Sequence, residues 1–181
     1  FRFRTVFAVI IMLSLWSPAQ SQVKLSSFDW VLPTYEVAPP DKNPMFFKGE
    51  SYQGASKYIY PYALNDVITD KRTERAWKAL KLENEYIELC VTPEIGGKLY
   101  YASDKSNGYN FIYRNNVVKP SNIGMLGAWV SGGIEWCVLH HHRASTFMNV
   151  DYTTSENSDG SKTIWIGETE PRHRMRWTAG I

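Results

Sequence analysis

The chain has 181 residues, a formal net charge of +2 and an aromatic content of 14%. Its acids and bases are interspersed along the sequence, which excludes the clustered basic face of a nucleic-acid binder. The aromatic content fits an extracellular β-rich protein with a ring-lined surface. The first segment carries Arg2 and Arg4, then the uninterrupted apolar or small run Thr5 to Trp16. Small residues at Ser17-Pro18-Ala19 or Ala19-Gln20-Ser21 complete a secretory signal over residues 1–22, which predicts a periplasmic or extracellular protein. The apolar run falls short of the ~20 residues that span a bilayer. No stable membrane insertion is expected once it is cleaved, and the remainder is long enough for one domain core.

Residues 23–54 are polar, proline-bearing and aperiodic, and read as an extended leader whose aromatics (Phe28, Trp30, Tyr35, Phe46, Phe47) dock on the domain C-terminal to it. Tyr58 to Leu64 suggests a short edge strand, because Pro61 cannot serve a central one. Asp66 to Arg75 reads as a charged connection. Trp77 to Leu82 and Tyr86 to Thr92 form an expected hairpin around Glu83-Asn84-Glu85, with Ile87, Leu89 and Val91 on the core face at period two. Pro93 to Gly97 is a turn or bulge, Lys98 to Ala102 a strand, Ser103 to Gly108 a turn, and Tyr109 to Tyr113 another strand. Further strands are expected at Ile134 to Leu139, Thr146 to Thr153, Lys162 to Glu168 and Arg174 to Thr178. The loop Glu156 to Ser161 carries a favourable Asp-Gly. Short strands with frequent turn signals and no amphipathic helix indicate an all-β, antiparallel sandwich. The two cysteines, Cys90 and Cys137, each fall inside an expected strand. A disulfide could persist between them in an exported chain, but buried free thiols fit that setting better, and neither cysteine has zinc-site spacing.

The densest chemistry lies in Gly124 to Arg143, G-M-L-G-A-W-V-S-G-G-I-E-W-C-V-L-H-H-H-R. Ring faces, a carboxylate, imidazoles and a guanidinium are what a sugar needs, a flat apolar wall and directional partners for hydroxyls. Glu135 and His142 are the candidate acid–base groups. Trp129, Trp136, His140, His141 and Arg143 are the candidate ligand contacts. On a strand His140 and His142 share a face. With Glu135 they could bind a divalent ion, or equally donate hydrogen bonds to a sugar, and no metal or cofactor is expected. The bland readings are a carboxylate that ties down the glycine turn and tryptophans that fill the core. Trp77 and Trp165 read as core strand residues. Arg172, His173 and Arg174 with Glu168 and Glu170 read as a solvated face with surface ion pairs, and Asn84 and Glu94 as turn braces.

From about Tyr52 onward the chain resembles the bacterial family catalogued as domain of unknown function 5107. The resemblance is carried by L-E-N-E-Y-I-E-L-C-V-T-P-E-I-G-G-K-L (Leu82 to Leu99), V-K-P-S-N-I-G-M-L-G-A-W-V-S-G-G-I-E-W (Val118 to Trp136) and H-H-H-R (His140 to Arg143). E-N-S-D-G-S-K-T-I-W-I-G-E (Glu156 to Glu168) and R-H-R-M-R-W (Arg172 to Trp177) complete it. Cys137-Val138-Leu139 departs from the family pattern, which places a short polar, proline-containing segment before the histidines. The resemblance implies a galactose-mutarotase-like (aldose epimerase-like) supersandwich, a fold whose relatives handle carbohydrate. It also implies that residues 55–181 are the N-terminal part of such a domain, without the half in which mutarotase-like enzymes keep a catalytic carboxylate. The expected function is exported carbohydrate binding or processing. A sugar epimerase or glycoside-active enzyme, or a non-catalytic structural domain, are the alternatives. Glycoside hydrolysis needs two carboxylates across the sugar, and the sequence offers one good candidate.

Overall fold

The computed structural model describes residues 22–42, 59–122, 127–138 and 142–181. The segment up to Ser21 read as a secretory signal, residues 43–58 and the pair His140 and His141 lie outside them. The described chain is all-β, and every strand ladder is antiparallel. In chain order the strands are β1 (Lys24–Val37), β2 (Ile68–Glu83), β3 (Ile87–Thr92), β4 (Lys98–Asp104), β5 (Tyr109–Asn110), β6 (Pro120–Asn122), β7 (Ala128–Val130), β8 (Asp151–Glu156), β9 (Lys162–Glu170) and β10 (Met175–Gly180). They build a five-stranded sheet in the order β1-β2-β3-β4-β5, a three-stranded sheet β10-β9-β8 and a ribbon β6-β7.

The segment read as a leader supplies β1, which pairs with β2 from Lys24↔Glu83 to Val37↔Ile68. Its inward residues, Trp30, Leu32 and Thr34, alternate at period two with the more exposed Asp29 and Val31. Pro33 is accommodated because β1 is an edge strand. Pro33 O accepts from Val118 N and Tyr35 N donates to Val118 O, so the proline nitrogen faces outward, where no ladder bond is needed. The charged stretch from Ile68 is likewise strand, not connection. Both of its faces are open to solvent near that end, and Lys71 there pairs with Glu36 at 3.1 Å.

The β2–β3 hairpin turns at Asn84, whose Oδ1 accepts from Tyr86 N at 2.8 Å and Ile87 N at 2.9 Å. Of the face assigned to the core, Val91 is buried and Leu89 half-buried. Ile87 is exposed, because it sits at the hairpin end beyond the covering sheet. Glu94 braces its turn by accepting from Lys78 N. The hairpin at Asn157 to Ser161 forms as expected, with Gly160 at φ +83. Four expected strands shrink or vanish, among them Thr146 to Thr153, which is turn and irregular chain up to Val150 and becomes strand only from Asp151, where β8 begins. Tyr109 to Tyr113 reduces to β5, and Ile59 to Leu64 is a turn joined to Asp41 by one bridge. Ile134 to Val138 contributes only the bridge Leu99↔Ile134.

The five-stranded sheet is covered on both faces. Leu80, Leu82 and Val91 on one face pack against Ile164, Ile166 and Trp177 of the three-stranded sheet and against Val150 just before β8. On the other, Leu32, Trp77, Ile95 and Tyr100 pack against Val118 and Val130. Strand parity explains the division, since Leu99 joins the first cluster and Tyr100 the second. Cys90 and Cys137 are both free, Cys90 buried in β3 and Cys137 exposed. Ile164 is fully buried between the layers. Ile164→Ala is expected to lower the unfolding free energy by about 2–5 kcal/mol, read from the midpoint of a denaturant titration.

Candidate functional site

Three consecutive features place the central motif. Gly132 and Gly133 adopt φ +91 and +70, and a Cβ on Gly133 would lie 2.8 Å from Leu99 O. The chain therefore crosses β4 at glycine, then leaves the sheet instead of continuing as a strand. Next, Trp136 Nε1 donates to Gly97 O at 2.8 Å, pinning the loop to the β3–β4 turn. Finally, Arg143 sends its guanidinium inward, to Gly96 O, to Ser145 Oγ at 2.9 Å and to Glu168 Oε1 at 3.3 Å.

This path brings together residues that a strand would separate. On a strand Glu135 and His142, seven positions apart, point to opposite faces. Here His142 Nδ1 lies 2.8 Å from Glu135 Oε2. The same oxygen accepts from Trp129 Nε1 at 3.1 Å, and Oε1 accepts from Thr146 Oγ1. The Trp129 and His142 rings meet edge-on with centroids 5.5 Å apart. Lys98, buried in β4, donates to Val130 O and to Gly132 O at 3.2 Å, and its ammonium stands 5.3 Å from the Trp129 ring. The Glu135 side chain is 10% exposed and that of His142 18%. The result is a largely buried carboxylate edged by an indole and an imidazole.

Burial would raise the Glu135 pKa. The Thr146 hydroxyl, the His142 contact and the Lys98 charge outweigh it and hold the carboxyl below its ordinary range. Lys98 is lowered chiefly by burial and by Arg143, with Glu135 pulling the other way. Glu135 is thus an ionised acceptor at neutral pH, not a carboxylic acid. Cys137 joins the group. Single ligand atoms of Glu135, Cys137 and His142 all lie within 4.8 Å of one another.

The expected contacts separate into two sets. Glu135, His142 and Trp129 meet at one place. Arg143 is turned inward, 3% exposed, with its guanidinium 4.4 Å over the Trp177 ring. Trp136 is half-buried with its ring packed against the inter-sheet core. Nor are Glu168 and Glu170 a solvated surface. Glu168 gathers Arg143, Ser145 and Trp177 Nε1, and Glu170 is buried against Arg172. The sequence reading missed Thr146, Lys98 and Cys137. Thr146 and Cys137 were placed on expected strands, and a lysine in a strand gives no sign that it is buried. Trp77 is buried as read, but Trp165 is 39% exposed. It lies on an outer groove of β8–β10 with Tyr152, Arg176 and Thr178.

Residues 55–181 match the family model described as "Domain of unknown function (DUF5107)", and the chain belongs to that family. A TPR-domain containing protein from Parabacteroides distasonis ATCC 8503 has a similar structure, with a TM-score of 0.72 and 22% sequence identity. The match covers 89% of this chain and 27% of that one, so the chain spans about a quarter of the larger protein's length. At that identity the likeness establishes the fold alone.

Arg143→Ala would leave Glu168 as an unpaired, largely buried charge, and is expected to lower stability by about 3–5 kcal/mol by denaturant titration. The thiols should also differ. Burial pushes Cys90 up to about 12, and burial and the Glu135 charge raise Cys137 as well, so the difference lies in access, Cys137 being exposed and Cys90 buried. Iodoacetamide at about pH 8 is expected to label Cys137 in the native chain and Cys90 only after unfolding, as read by peptide mass spectrometry.

Proposed function

We propose that the chain is a carbohydrate-binding domain of an exported protein, with Trp129 as the apolar wall and Glu135 as the acceptor for sugar hydroxyls. The observation that carries this is the Glu135 carboxylate, largely buried yet held ionised and oriented by donors from three separate places in the chain. A carboxylate offers about four lone-pair sites. Trp129, His142 and Thr146 occupy three, which leaves one on Oε1 for a hydroxyl. A half-buried indole beside a fixed acceptor suits the amphipathic face of a pyranose, since its C–H side stacks while its hydroxyls find directional partners. The family's implied galactose-mutarotase-like fold adds to this reading as an analogy of architecture.

Binding is favoured over turnover by Glu135, because a carboxyl below its ordinary range does not protonate a leaving group at neutral pH. A second reading, proton transfer as in a sugar epimerase, draws on the 2.8 Å contact that fixes the His142 ring. It assigns the acid–base role to His142 and makes Glu135 its orienting partner.

The test is calorimetric titration of the full chain with a panel of mono- and oligosaccharides, followed by proton NMR of any bound sugar for exchange between its anomers or epimers. Selective binding is expected, weakened about tenfold or more, or ~1.4 kcal/mol, in Glu135→Gln and in Trp129→Ala and retained in Trp165→Ala. Folded protein that binds nothing across the panel, or binds equally in both site variants, contradicts the reading.

A further inference from the structure

We infer that Glu135, Cys137 and His142 form a three-ligand site for a borderline-soft divalent cation of the zinc class. A carboxylate oxygen, a thiol sulfur and an imidazole nitrogen, one from each residue, lie within 4.8 Å of one another. Zinc takes such donors at about 2.0–2.3 Å in tetrahedral geometry, which sets donor–donor edges of about 3.3–3.8 Å. The widest separation therefore needs to close by about 1–1.5 Å at most, on the scale of side-chain torsions. The Glu135–His142 separation of 2.8 Å is a hydrogen-bond distance, shorter than a tetrahedral edge. Cation uptake exchanges that one bond for two metal bonds.

The surroundings suit this exchange. Trp129 and Thr146 still hold Glu135 by hydrogen bonds to both of its oxygens, the kind of outer support that orients metal-binding carboxylates. The mixed donor set selects against magnesium and calcium, which prefer oxygen ligands only. With the thiol deprotonated, a divalent ion bound by thiolate and carboxylate leaves the site neutral where Glu135 alone carried a negative charge, so the attraction between Glu135 and the nearby Lys98 ammonium weakens but does not turn into net repulsion. Three protein ligands leave a fourth position, and the exposure of Cys137 gives the ion a route in from solvent. Cation binding releases the thiol proton to solvent, breaks the Glu135–His142 hydrogen bond and moves the imidazole proton from Nδ1 to Nε2, so three metal bonds form for one proton released.

The inference stands apart from the sugar reading, because it is tested without sugar. Full-length chain freed of metal with a chelator is titrated with cobalt(II) and, by calorimetry, with zinc(II). The expected result is one equivalent of cobalt with tetrahedral visible bands and a near-ultraviolet sulfur-to-cobalt charge-transfer band. Cys137→Ser should abolish that band and weaken zinc on the order of 10- to 100-fold or more, while Cys90→Ala keeps both. No saturable binding by folded protein overturns the site, as does cobalt binding without the sulfur band or unchanged zinc affinity in Cys137→Ser. Repeating the sugar titration with and without zinc separates the outcomes. Loss of sugar binding alone leaves the cation site standing, and the converse holds.

Discussion

Among its described residues the site loop pairs in no strand ladder, and one turn does most to hold it in place. Between β3 and β4 the chain passes through Gly96 and Gly97 at φ +64 and +70. The exposed backbone of this turn becomes the anchor for the whole loop beyond Ile134. Gly97 O receives the Trp136 indole, Gly96 O receives Arg143, and Gly96 N donates to Met148 O at 2.9 Å. A Cβ at Gly96 would sit 2.3 Å from Thr146 O, so glycine is what lets the Thr146 segment lie against the turn. Thr146 in turn donates to Glu135. The turn thus fixes the carboxylate through its neighbours, without touching it.

Much of the candidate site's chemistry comes from that arrangement. Arg143 and Trp136 read from sequence as ligand contacts because they border the histidines and the carboxylate. Their side chains are instead consumed in fastening the loop, and this frees Glu135, Trp129 and His142 to converge. Charge stays balanced along the way. Arg143 is answered by Glu168 in the interior and Lys98 by Glu135 at the site, so neither cation is buried without an acid near it.

The sheet was legible where alternation met turn chemistry. The β2–β3 hairpin and the β8–β9 loop with Asp159-Gly160 could be read, because period-two patterning ended at residues with a reason to turn. β1 was not, because Pro33 and the serine pair mask the alternation of Trp30, Leu32 and Thr34, and only an edge position makes that proline harmless. The strand expected over Ile134 to Leu139 failed for the opposite reason. Its apolar residues alternate well, but Gly132 and Gly133 steer them out of the ladder and onto the turn. Strand parity would have set Glu135 and His142 on opposite faces, and it hid Cys137 as a buried thiol. The residue types at the site were legible, but their meeting was not, since it depends on contacts far apart in sequence.

The central claim is that ligand chemistry converges on Glu135 and not on the aromatic groove of β8–β10. Each of the seven tryptophans carries one indole N–H, so a proton–nitrogen correlation spectrum of the full chain titrated with sugar locates the ligand directly. The account predicts that the Trp129 indole signal, hydrogen-bonded to the carboxylate, shifts on saturation while that of Trp165 holds still. Movement of Trp165 with Trp129 unchanged would contradict it and transfer the site to the outer face of the smaller sheet.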